Sequence, residues 1–170
     1  FEDGIYRRDA ELETNRDIKY QLADIPLPNG VLRVDKVSTP VATNIHLGHY
    51  SLPEIADHPL HELSSKKVSN ARIISNDEYQ LALIPLHGWN RTEVEYPTGL
   101  HPVSEKCAVI MAESYVSHEA VFATLMLWKK GDKKFSKKEL TPVKNINVSS
   151  DLKTVQITLA DQTQKTVTFN

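Results

Sequence analysis

Ile146-Asn147-Val148, Ser149-Ser150-Asp151, Val155-Gln156-Ile157-Thr158-Leu159, Ala160-Asp161-Gln162 and Val167-Thr168-Phe169 close the sequence as strand, turn, strand, turn and strand. Apolar and polar residues alternate strictly along each strand segment, as they must when one face of a sheet is buried and the other meets water. Valine, isoleucine and threonine supply the β-branched content that a pleated surface favours, and the Ser/Asp and Asp/Gln clusters supply the turns.

Working outward, the same grammar recurs. Val31-Leu32-Arg33-Val34-Asp35-Lys36-Val37 follows the turn cluster Pro26-Leu27-Pro28-Asn29-Gly30 and alternates as a half-buried strand does. Ile18, Tyr20 and Leu22 alternate ahead of it, while the charge-dense residues 1–15 read as a poorly ordered arm. Pro40 breaks the pattern before Val41 to Tyr50, a second strand interrupted by Gly48. Ser51 to Ser69 reads as a long loop. Ala71 to Ile74 and Tyr79 to Leu86, joined by Ser75-Asn76-Asp77-Glu78, read as a hairpin.

Two apolar runs remain, Cys107 to Ala112 and Ala120 to Trp128. The second has a composition that also suits a helix. Its apolar residues occupy both alternating sets, Val121/Ala123/Leu125/Leu127 and Phe122/Thr124/Met126/Trp128, which is the pattern of a central strand. It ends at Lys129-Lys130-Gly131-Asp132. Short strands at close spacing with turn signals between them predict an all-β fold, an antiparallel β-sandwich over residues 1–170 as a single domain.

The 170 residues suffice for one core without staples. A net charge of -2 gives no electrostatic case for nucleic acid, and no apolar run reaches the roughly 18 residues of a membrane helix. The single Cys107 precludes an intrachain disulfide and reads as a buried, inert thiol. The chain opens on Phe1 without a signal-peptide pattern, so it reads as a piece of a larger protein.

Chemistry-bearing motifs are sparse. The sequence has no P-loop, no G-x-G-x-x-G, no G-x-S-x-G elbow and no HExxH, so neither a cofactor nor a nucleophile is indicated. His46/His49 and His58/His61 repeat an H-x2-H spacing, but positions three apart on a strand face opposite ways, and no metal site is assigned. The richest segment is His87 to Pro97. Trp89 and Tyr96 stand beside Arg91, Asn90 and Glu93, and aromatic faces bordered by hydrogen-bonding groups suit a sugar. His87, Trp89, Arg91 and Tyr96 are therefore the carbohydrate-binding candidates, although a Trp89 that plugs the end of the sandwich would explain the same residues. The lysines of 129–138 suit an anionic polysaccharide or an acidic neighbouring domain, and equally a soluble hairpin tip. Asn90-Arg91-Thr92 and Asn147-Val148-Ser149 are formal glycosylation sequons.

The run Val31 to Thr39, Gly48-His49-Tyr50-Ser51-Leu52-Pro53, the Leu86-His87-Gly88-Trp89 turn and the Val155-to-Phe169 hairpin resemble the C-terminal β-sheet portion of large bacterial carbohydrate-active proteins. These are the heparinase II/III-like group and a related family, whose catalytic half is an α/α toroid. The resemblance implies a sandwich packed against a toroid that carries most catalytic residues, with a periplasmic or secreted location. No catalytic residue transfers position by position. The reading that follows is an accessory, non-catalytic module of a polysaccharide-processing protein, whose partners are the catalytic domain of the same protein and a poly- or oligosaccharide. Its rivals are a small enzyme using His/Tyr groups near His46–Tyr50 and His87–Tyr96 as acid and base, and a protein-interaction domain with an exposed apolar face.

Overall fold

The computed structural model describes residues 4–12, 15–50, 61–64, 71–75, 78–88, 92–95, 109–131 and 133–170. The strands are β1 (Tyr6–Leu12), β2 (Asn15–Leu27), β3 (Gly30–Tyr50), β4 (His61–Ser64), β5 (Arg72–Ser75), β6 (Tyr79–His87), β7 (Thr92–Glu95), β8 (Val109–Lys130), β9 (Val143–Val148), β10 (Thr154–Leu159) and β11 (Gln164–Thr168). One helical turn, α1 (Lys137–Leu140), intervenes between β8 and β9. An eight-stranded antiparallel sheet runs β1-β2-β3-β8-β6-β5-β4, with β7 also paired to β8, and a three-stranded sheet runs β11-β10-β9. The fold is the antiparallel β-sandwich that the alternation predicts.

β8 is the axis of the large sheet, bonded to β3 on one side and β6 on the other. Its first apolar set and the Phe122 end of the second are buried on opposite faces, while Trp128 is exposed. Val121, Ala123, Leu125 and Leu127 enter the main core, whereas Ala120 and Phe122 pack with Ile45 on the other face. A helix of the same composition would have turned one set toward water. The small sheet closes the main core with Val155, Ile157, Val167 and Phe169, while Gln156, Thr166 and Thr168 between them stay exposed. Burying each of these large side chains contributes about 1.5–3 kcal/mol.

Three sequence-based boundaries shift. Val109 to Ala112 of the first apolar run and all of the second belong to one strand, because Glu113 to Glu119 between them continues the β3 ladder, while Cys107 lies outside the described residues. Pro40 does not end a strand either. Between the pairs Ser38↔Glu119 and Thr43↔Ser117, β3 advances five residues and β8 only two. The surplus is a bulge, where a residue without an N–H costs no ladder bond. Thr39 Oγ1 pins it by donating to the carbonyls of Val41 (2.9 Å) and His118 (3.2 Å). Third, Tyr6–Leu12, assigned to an arm, pairs along β2 from Tyr6↔Asp24 to Leu12↔Asn15. Within the expected loop 51–69, His61–Ser64 pairs with β5.

The Leu86-His87-Gly88 turn leaves β6 after a register shift between Pro85 and His87. Gly88 has φ +79, and a Cβ there would lie 2.1 Å from the Val121 carbonyl oxygen. Gly131, at φ +90 beyond the end of β8, has open space around it. Gly88→Ala is expected to cost about 2–5 kcal/mol, combining left-handed strain with overpacking, against about 1–2 kcal/mol for Gly131→Ala. Urea midpoints of the two variants measure the difference, and equal losses would contradict the close approach of Gly88 to β8.

Candidate functional site

Of the four sequence-derived candidates, Trp89, Arg91 and Tyr96 lie outside the described residues. His87 is half-buried at the end of β6. Burial lowers its pKa, which keeps the ring neutral near pH 7. His58 lies outside the described residues as well, and His46, His49 and His61 are described only as strand positions. Among the described residues, no three His, Cys, Asp or Glu side chains gather as a metal site would require.

The aromatic and basic groups that the structure does bring together stand at the opposite end of β6. Tyr79 pairs with Lys130 and Leu81 with Trp128. Lys130 and Trp128, two apart on β8, therefore share one face with Tyr79, and Tyr79 and Trp128 are diagonal neighbours. Both aromatics are large and open, with Trp128 52% and Tyr79 47% exposed. The Lys130 ammonium sits 5.9 Å from the centre of the Tyr79 ring, within cation–π range. A cleft of ≈ 370 Å³ opens beside them, reaching Asn29, Phe135 and Glu139.

The loop behind this surface is rigidly fastened. Gly131 N donates to the Glu78 carbonyl at 2.6 Å, and Gln80 Nε2 donates to the Gly131 carbonyl at 2.8 Å. Lys129 Nζ meets Glu139 Oε1 at 2.8 Å and lies 5.3 Å from the Phe135 ring centre. Ser136 and Glu139 form a reciprocal capping box on α1, with bonds of 3.2 and 2.6 Å. The Lys129 and Ser136 bonds hold the Glu139 carboxyl down at about 2. Lys129 and Glu139 thus satisfy each other, and the outward charge is left to Lys130, Lys133, Lys134, Lys137 and Lys138, whose side chains are exposed or nearly so. Sequence reasoning singled out the lysines, yet counted Trp128 with the core run. Trp128 is exposed because it stands on the face opposite the small sheet, beyond the Phe122–Ile45 cluster. The S-x-x-E spacing of Ser136 and Glu139 was the available signal for α1.

A second polar cluster lies on the same face, further along β2 and β3. Tyr20 OH donates to Asp35 Oδ1 at 2.5 Å, and Arg33 holds Asp24 through two bonds of 2.8 and 2.7 Å. Asp35 has no exposed surface, and among the described residues its Oδ2 meets no donor. Burial pushes its carboxyl up to about 6, against the opposing pull of the Tyr20 bond and of Arg33. A group so enclosed can hold a proton but cannot reach a substrate.

No family model and no curated protein matches the sequence. Among solved structures, a heparinase III gene product superposes with a TM-score of 0.61 at 9% identity, over 99% of this chain and 26% of that one. The chain shares its fold with part of a heparinase III. It spans about a quarter of that protein's length. The heparan sulfate lyase HepC from Pedobacter heparinus and a mutant of it also match, each with a TM-score of 0.46 at 14% identity, over 96% of this chain and 28% of theirs. Among the described residues, no helix is long and apolar enough to cross a membrane.

The Asp35 geometry has a pH signature. Its folded-state pKa of about 6 stands above the ordinary aspartate value of 3.8, so the folded chain keeps a proton that the unfolded chain releases. The stabilisation is complete below pH 3.8 and is lost as pH rises to about 6. Relative to the wild type, Asp35→Asn is expected to lack this decline, and Tyr20→Phe to move it to higher pH. Denaturant midpoints taken from pH 4 to 7 measure both, and parallel profiles for the wild type and Asp35→Asn would contradict the assignment.

Proposed function

We propose that this chain is an accessory, non-catalytic β-sandwich of a polysaccharide-processing protein, and that it contacts an anionic glycan through Trp128, Tyr79 and Lys130. The observation that carries the reading is the pair of half-exposed aromatics on one sheet face beside a lysine-rich rim. A sugar ring offers an apolar face to stack on an aromatic and a hydroxyl edge to bond. Sulfate or carboxylate groups on such a chain would meet Lys130 and the lysines of the α1 loop, at short range and with strong salt dependence. Because the 170 residues together carry a net charge of -2, this end is a local positive field and not a general one.

The comparison supports the same reading at the level of fold. The protein whose fold is shared is a heparinase, and the matching part is a minority of it. The remainder of a protein of that kind would supply the catalytic domain, with this module docked beside it. A catalytic role for the module itself would require an acid and a base open to substrate. Asp35, the carboxyl with the largest upward shift among the described residues, is closed to solvent and committed to Tyr20.

The chain is expected to bind immobilised heparan sulfate, with an affinity that falls steeply as salt is added. Trp128→Ala is expected to weaken binding about 10-fold or more, as loss of an aromatic anchor does at other interfaces. Lys130→Gln should weaken it less and flatten the salt dependence. Wild-type chain that fails to bind at low salt, or a Trp128→Ala variant that binds unchanged, would overturn the proposal.

A further inference from the structure

The inner face of the large sheet changes character along its length. Ala23, Ile25, Leu32, Val34 and Val121 lie under the small sheet. One or two rungs further on, the same face carries Gln21 and Lys19 on β2, Lys36 and Ser38 on β3, and Glu119 on β8. The cross-strand pairs Asp9↔Gln21, Gln21↔Lys36, Lys19↔Ser38 and Ser38↔Glu119 place them in two polar rows. The change coincides with the end of the covering sheet, where Phe169 is buried and Asn170 is exposed. Beyond it opens a groove of ≈ 610 Å³ lined by Asp9, Lys19, Gln21, Ser38, Glu119 and Asn170, among others.

An ordinary solvated sheet end does not account for the buried lysine paired with this lining. Lys36 is only 3% exposed, and its ammonium lies 3.4 Å from Glu119 Oε1. The same oxygen accepts from Ser38 Oγ at 3.0 Å. Only the Lys36 end of the pair is taken out of water, since the Glu119 side chain stays 40% exposed, and a buried ammonium is costly unless a partner holds it. What the arrangement provides is a carboxylate of the groove lining held in place by Lys36 and Ser38. At the rim, Gln21 Nε2 donates to Asp9 Oδ1 at 3.2 Å, which orients that amide as well.

We infer that this groove is a second binding site, and that it takes an uncharged, hydroxyl-rich ligand, namely a neutral stretch of saccharide. Its lining mixes donors (Lys19, Gln21, Ser38, Asn170) with acceptors (Asp9, Glu119), and hydroxyls, which both donate and accept, satisfy such a mixture. The charges of Asp9, Asp17 and Glu119 against Lys19 and Lys36 leave a small negative excess, so the groove disfavours the anionic groups that the lysine-rich end attracts. The ligand class rests on the polysaccharide reading proposed above. The site does not, since its residues and charge are separate from those of Trp128.

The test is a titration of the full chain with cellotetraose and with chitotetraose, followed through the side-chain amide signals of Gln21 and Asn170 by NMR. Saturable shifts are expected from at least one of them. Gln21→Ala and Asp9→Ala, both at the rim, should each weaken that binding about 10-fold, and Trp128→Ala should leave it unchanged. If neither oligosaccharide shifts these amides while heparan sulfate still perturbs Trp128, the groove inference is wrong and the glycan-contact proposal stands. If shifts occur and Gln21→Ala does not diminish them, the groove assignment is equally overturned. If neither surface responds to any glycan, both readings fall.

Discussion

The structure depends on one strand that must be buried on both faces. β8 carries the core of the sandwich on one side and the Phe122–Ile45 cluster on the other, so it can lie only in the middle of a sheet. That requirement orders everything around it. β3 and β6 must flank it, the three-stranded sheet must close the Leu125 side, and β8 can meet water only at its ends. The exposed chemistry therefore collects where the cover stops. Trp128, Lys129 and Lys130 stand at one end of the β8 core run, and Glu119 stands at the other.

Much of the fold is legible in the sequence, for a local reason. Strict alternation over Val155–Leu159 and Val167–Phe169 fixes a sheet with one wet face, and double apolar occupancy over Ala120–Trp128 fixes a central strand. Both signals reside in consecutive residues. What reads poorly is whatever needs a partner distant in the chain. Glu113 to Glu119 lacks an apolar stripe and is a strand only because β3 pairs with it. Pro40 looks like a terminator until the unequal advance of β3 and β8 shows it to be a bulge. The Tyr20–Asp35 bond joins residues 15 apart through the β2–β3 register, and no pattern in either strand announces it.

The candidate sites follow the same division. The lysines of 129–138 are a visible charge run, whereas the exposure of Trp128 and Tyr79 depends on where cover ends. The polar rows of the groove are invisible as a motif, because Gln21, Lys36, Ser38 and Glu119 come from three strands and become neighbours only through register. Under the proposed function, the lysine-rich end would draw a sulfated or carboxylated segment and the groove an uncharged one. Such a module would orient a chain for a catalytic neighbour without reacting with it.

The chain holds two tryptophans, Trp89 and Trp128, and their indole N–H signals report on each in a single experiment. Titration with heparan sulfate, followed by NMR on the full chain, is predicted to shift the Trp128 signal saturably. A shift confined to Trp89, or none in either, would contradict the account.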